Sequence, residues 1–120
     1  MAAIKSYTDI EQSRKLAEIL PLESADMRYT PFGDTHPWIW NEEVKLLEKG
    51  SVPCWSLAAL LNVLSEIKPQ VYTSILFPSE GKWILQFAEY GHGNICEVTC
   101  DNPVDACYEL ILKLNEIKML

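Results

Sequence analysis

Ser51-Val52-Pro53-Cys54-Trp55-Ser56-Leu57-Ala58-Ala59-Leu60-Leu61-Asn62-Val63-Leu64 is the most apolar run of any length in the chain, and its reading decides the fold. Pro53 suits the first turn of a helix, where its missing N–H goes unused. A helix is therefore expected from about Pro53, with Ser51 or Val52 near its cap. Leu57, Ala58, Leu61 and Leu64 fall on one stripe at helical spacing, and Leu60 and Val63 widen it. A helix apolar over most of its circumference has to be buried on more than one side. The run is too short to cross a bilayer. It is expected to be the central core helix.

On its N-terminal side, Thr8-Asp9-Ile10-Glu11 reads as a capping box: the Thr8 hydroxyl accepts one free N–H and Glu11 reaches back to another. A helix follows to about Leu20, with Ile10, Ala17 and Leu20 facing inward and Leu16 and Ile19 broadening that face. Pro21 stops it. Residues 21–41 are punctuated by Pro21, Pro31, Gly33 and Pro37 and read as irregular. Asn41 then caps a short helix from Glu42 to Lys49, which Gly50 closes.

On its C-terminal side, Val71–Phe77, Trp83–Tyr90 and Ile95–Cys100 read as three strands joined by short turns, an antiparallel meander. Trp83, Leu85 and Phe87 share one face. Tyr72, Leu76, Ile84, Ala88 and Tyr90 are assigned to the other, so both faces call for cover by a helix, the loop before the central helix, or a second subunit. Asn102 caps a last helix with Pro103 at its first position. Cys107, Leu110, Ile111, Leu114 and Ile117 form its apolar stripe. The fold class expected is α+β: N-terminal helices, a three-stranded antiparallel meander, and a C-terminal helix packed on the sheet. With 120 residues and no interdomain linker, residues 1–120 make one domain.

The net charge is −7. The excess acids lie mainly in residues 21–50, six against three bases, and in residues 91–120, five against two. Nucleic-acid phosphates and anionic lipids are bound by clustered cations, so neither partner is expected. Cys54, Cys96, Cys100 and Cys107 follow no apolar leader segment, which points to reduced thiols in a cytoplasm.

Three groups of residues bear on chemistry. His92, Cys96 and Cys100 recur every four residues, but four residues of strand span about 13 Å, too far for ligands of one zinc ion. No metal and no cofactor are expected. Cys54, placed at a helix N-terminus, would have its thiolate favoured by free N–H groups and the helix dipole. His92 follows in the Gly91-His92-Gly93 turn beside a strand. A cysteine opening a buried helix, then a histidine at the edge of an antiparallel sheet, resembles the order in papain-like and NlpC-like cysteine hydrolases. The Cys54-Trp55 pair is similar to the Cys-Trp that begins the catalytic helix of papain-like and transglutaminase-like enzymes. The resemblance implies a Cys54–His92 dyad, with Glu97 orienting the histidine. It covers about a dozen residues and a turn, and lacks the glycine-rich approach to the cysteine.

The third group is Tyr29–Trp40, which packs four aromatics and a histidine into a dozen residues. Arg28, Phe32, Asp34, His36, Trp38 and Trp40 make it a candidate ligand-binding loop. The competing reading folds Phe32, Trp38 and Trp40 back as a lid on the core, with both tryptophans on one face of a short strand. In size and general look the chain is similar to the short proteins carried by bacterial prophages and mobile elements, a likeness that implies no activity. The function expected is a small binding or assembly module without enzymatic activity, with a protein partner or a second copy (a homodimer) as its target. The alternative is the cysteine hydrolase.

Overall fold

Ser56, not Ser51 or Val52, caps the apolar run. Its hydroxyl accepts the Ala59 N–H at 3.2 Å, and the central helix α2 is Leu57–Ser65. This is how the computed structural model resolves the deciding stretch; it describes residues 5–40 and 49–120. Val52–Cys54 is instead a strand, and the expected helix start at Pro53 is corrected. Proline holds the residue before it in extended backbone, and at a sheet edge its missing N–H is tolerated. The short helix expected from Asn41 to Lys49 lies outside the described residues.

In chain order the elements are α1 (Ile10–Ala17), a 3-10 turn (Leu22–Ser24), β1 (Met27–Tyr29), β2 (Trp38–Ile39) and β3 (Val52–Cys54). Then come α2, β4 (Tyr72–Ser79), β5 (Lys82–Glu89), β6 (Gly93–Cys100) and α3 (Pro103–Glu116). The α+β class holds. β4-β5-β6 is the expected antiparallel meander, and α3 packs on it. A second antiparallel sheet, in the order β2-β1-β3, was not anticipated. Its strands are two or three residues long, too short for alternation to register.

Asp9, rather than Thr8, is the N-cap of α1. Its carboxylate accepts the Gln12 N–H at 2.8 Å, and the Gln12 side chain accepts the Asp9 N–H at 3.2 Å. The inward face carries Ser13, Leu16 and Leu20, while Ile10 and Ala17, expected inside, face solvent. In α2 the buried positions are Leu60, Val63 and Leu64, and Ala58 is exposed.

α3 begins as expected: Asn102 accepts the Asp105 N–H at 2.8 Å and Pro103 opens the helix. Cys107, Leu110, Ile111 and Leu114 are fully buried, but Ile117, past the last turn, is 51% exposed. This stripe meets Leu85, Phe87 and Val98 of the meander, with Leu16, Trp55 and Leu60 completing one core. Register corrects the assignment of Tyr72 and Leu76. Leu76 lies opposite Leu85 and Tyr72 opposite Glu89, so both join the core face, where Tyr72 stacks on Phe87 at 5.3 Å. The outer face carries Ile75, Phe77, Ile84 and Ala88, and Ile75 is 50% exposed.

The N-terminal segment is tied to the start of α3. Asp105 accepts from Lys5 at 2.9 Å, from Gln12 at 2.8 Å and from Asn102 at 2.8 Å. Burial pulls the Asp105 carboxyl up, but these bonds together hold it below its ordinary 3.8. A carboxyl depressed in the folded state lends stability that is complete above its unfolded pKa and is lost as pH falls through the folded value. Urea unfolding between pH 7 and pH 3 (about 4 being the point of onset) should therefore lose stability more steeply in the wild type than in Asp105→Asn. Parallel curves would remove Asp105 from the acid limb.

Candidate functional site

Cys54 lies in an extended strand and is fully buried. β3 pairs with β1 through Met27↔Cys54, Arg28↔Pro53 and Tyr29↔Val52. On its other side it meets the segment before α1. The Thr8 N–H donates to the Trp55 carbonyl at 3.0 Å, and the Leu57 N–H to the Ser6 carbonyl at 3.0 Å. Buried Thr8 is the hub. Its carbonyl accepts the Tyr29 hydroxyl at 2.9 Å and the Cys54 Sγ at 3.3 Å, and its Oγ1 lies 2.8 Å from the Ser13 hydroxyl.

Burial pushes the Cys54 thiol above its ordinary value. Hydrogen bonding with Thr8 and Ser13 pulls the other way without offsetting it. The sulfur is not at the N-terminus of α2, because the residue that opens α2 is Leu57. Such surroundings favour the protonated thiol over the thiolate.

His92 stands in the exposed β5–β6 turn, its N–H donating to the Glu89 carbonyl at 3.0 Å. β6 has eight residues, so it separates that turn from α3 by about 25 Å. Cys54 belongs to the far end: Thr8 binds it, and Lys5 ties the same segment to Asp105 of α3. Glu97 is midway along β6, accepting from Gln86 at 2.6 Å. The structure thus does not bring Cys54, His92 and Glu97 together, whereas a base has to reach its nucleophile within hydrogen-bond distance. Cys96 and Cys100 are half-buried and pack against the core. Among the described residues, no three His, Cys, Asp or Glu side chains are placed to hold a metal ion.

The aromatic loop does gather its residues. Arg28 lies opposite Trp38 in the β1–β2 ladder, and its guanidinium sits 5.7 Å from the Trp40 ring centre. The His36 and Trp38 rings are 5.5 Å apart. Asp34 braces the turn by accepting the Thr30 N–H at 2.6 Å, and the Phe32 N–H reaches the Thr30 hydroxyl at 3.4 Å. The Thr30 bonds, with Trp38 and His36 beside them, hold the Asp34 carboxyl below its ordinary range. Gly50, at φ +87°, passes so close that a Cβ there would stand 2.9 Å from Pro31, so the turn and the approach to β3 fit only with glycine.

The two readings of this loop divide between its residues. Trp40 is buried at 4% exposure, and its N–H donates to the Asp26 carbonyl at 2.9 Å; it belongs to the lid. Phe32 is 85% exposed and Trp38 55%, so neither folds back. Ile39, 71% exposed, joins them; strand alternation between the two tryptophans points it away from the lid, a signal that sequence reasoning did not use. Phe32 on the braced turn, and Trp38 and Ile39 on β2 beside it, offer exposed apolar contact area, with His36 and Asp34 as polar handles. Among the described residues no helix is long and apolar enough to cross a membrane. No protein-family model, no curated protein and no solved structure matches the chain.

Proposed function

We propose that this chain is a small non-enzymatic binding or assembly module of the cytoplasm that engages a protein partner with Phe32, Trp38 and Ile39. The observation that carries the reading is their exposure, Phe32 on the turn braced by Asp34 and Thr30 and Trp38 and Ile39 on the strand that follows it. Exposed aromatic side chains held in one place are the material of binding hot spots, since their area is presented at small entropic cost. Burial of Cys54 among Thr8, Ser13 and Tyr29 supports this reading over the hydrolase.

The assembly half rests on the outer face of the meander, where Ile75, Phe77 and Ile84 face away from the helices. A second copy is the occupant proposed there, because two-fold pairing lets one apolar patch cover its own image. Light scattering across a concentration series should give a dimer, and Ile75→Glu should give a folded monomer. A wild-type monomer at every concentration would refute the assembly half.

A further inference from the structure

β6 is an edge of the meander, and its outward side can be read from the ladder. The Tyr90 N–H donates to the Val71 carbonyl at 2.9 Å, so the even-numbered residues of β5 bond to β4 and the odd-numbered ones bond to β6. Leu85↔Val98 and Trp83↔Cys100 are therefore bonded pairs. The N–H and C=O groups of Glu97 and Thr99, which alternate with them, point away from the sheet. Among the described residues β6 pairs with β5 alone, so none of these four groups has a ladder partner. Toward the turn this pattern ends at Ile95, the extra residue where the register shifts between Phe87 and Ala88.

Beside this edge runs α3. A groove of about 370 Å³ separates them, lined by Glu97, Val98, Thr99 and Cys100 from the strand and by Glu109 and Lys113 from the helix. Two acids and one base line it, in a chain of net charge −7. Asp101 and Asp105 nearby already hold Lys82 and Lys5, but Glu97 and Glu109 face no cation within ion-pair distance among the described residues. The acids make themselves felt at the half-buried Cys100: after burial itself, Glu109, Asp105 and Asp101 push its thiol up, against Lys113.

We propose that the β6 edge and α3 form a strand-addition groove that takes an extended cationic segment of a partner protein as the fourth strand of the meander. The Glu97 and Thr99 backbone groups supply up to four hydrogen bonds without regard to sequence, and the side-chain rows supply selectivity. On an added strand, alternate side chains stand beside Glu97 and Thr99 on the outer face, where lysine or arginine fits. The residues between them face Val98 and Cys100, where a β-branched apolar side chain fits. Glu97 is thus the acid that meets the cationic row, and Glu109 adds only to the charge of the groove. A second copy is disfavoured at this edge, since it would bring Glu97 and Glu109 of one acidic chain against those of another. This surface is distinct from the aromatic loop and stands or falls independently of it.

The probe is a fluorescein-labelled heptapeptide of alternating lysine and valine, followed by anisotropy against the full chain at low salt. Binding is expected for it and not for the glutamate–valine counterpart. Thr99→Pro removes one outward donor at an edge that tolerates proline, and should weaken binding by about tenfold, as the loss of one hydrogen bond with its partner group left unpaired does. Glu97→Gln should weaken it by about threefold, the size of a partly exposed ion pair. The same peptide N-methylated at alternate residues, tested on the unaltered chain, should lose binding, and it decides the matter if Thr99→Pro does not fold. Absence of binding would overturn the proposal. So would binding that falls with salt but is indifferent to N-methylation, because that is diffuse attraction to an acidic surface.

Discussion

Replacing Trp55 by alanine should remove about 3–5 kcal/mol of stability, as truncating a buried tryptophan does. Trp55 is the bulkiest of the fully buried side chains. It sits at the junction of β3 and α2, and its backbone is bonded on both sides to Thr8: the Thr8 N–H donates to its carbonyl, and its own N–H donates to the Thr8 hydroxyl at 3.2 Å. Its indole N–H donates to the Ser24 hydroxyl at 2.9 Å. The ring therefore fastens the 3-10 turn to the core that α3 completes, while the backbone of the same residue holds the N-terminal segment. A domain of this size has roughly 5–15 kcal/mol in total, so the variant should be marginally folded at 25 °C. Urea unfolding should show a lower midpoint with an unchanged slope. A loss below about 1 kcal/mol would mean that the cavity collapses fully, and that Trp55 does not hold these elements together.

Trp40→Ala and Trp38→Ala should differ sharply although the residues are two apart. Trp40 is buried beside Arg28, and truncating it should remove about 3 kcal/mol or more. Trp38 is more than half exposed, and its loss should stay within about 0.5–1 kcal/mol, as surface substitutions do. Thermal unfolding of the two variants side by side measures the contrast. Equal large losses would make the whole loop a structural lid and remove the basis for a recognition surface. Equal small losses would mean that Trp40 is not anchored.

Much of the framework was legible because its signals were long or redundant. α3 declares itself by Asn102, Pro103 and a stripe sustained over several turns, and the meander by three apolar runs separated by Gly81, Gly91 and Gly93. The boundary of the deciding stretch was not legible. Pro53 suits a helix's first turn and an edge strand equally, and only Ser56, three residues before Ala59, marks where the helix starts. A serine inside an apolar run reads as a tolerated polar residue until its hydroxyl is seen to accept an amide. The β2-β1-β3 sheet was invisible for a related reason: its pairing is set by long-range partners such as Arg28↔Trp38 and Met27↔Cys54, which leave no local period.

The site was legible in part. That Tyr29–Trp40 concentrates aromatics is plain, but which of them faces water depends on the Asp26 carbonyl that holds Trp40 and on the Asp34 brace. The resemblance built on Cys54-Trp55 depended on a helix beginning at the cysteine. Once that residue is placed in a strand, its neighbours are Thr8, Ser13 and Tyr29 rather than the first turn of α2 and a histidine. The open backbone groups of Glu97 and Thr99 depend on ladder phase, which a sequence does not carry.

Whether Cys54 belongs to the core or to a reactive site is tested most directly by alkylation of the native protein with iodoacetamide, followed by peptide mapping of the four cysteines. A buried thiol held above its ordinary pKa reacts only when the fold opens. Cys54 and the buried Cys107, pushed up to about 12, should thus be modified last, at rates that rise with urea. Half-buried Cys96 and Cys100 should precede them, and His92→Ala should leave the Cys54 rate unchanged. Rapid modification of Cys54 below about pH 7, slowed by His92→Ala, would contradict the account and establish a thiolate paired with a base.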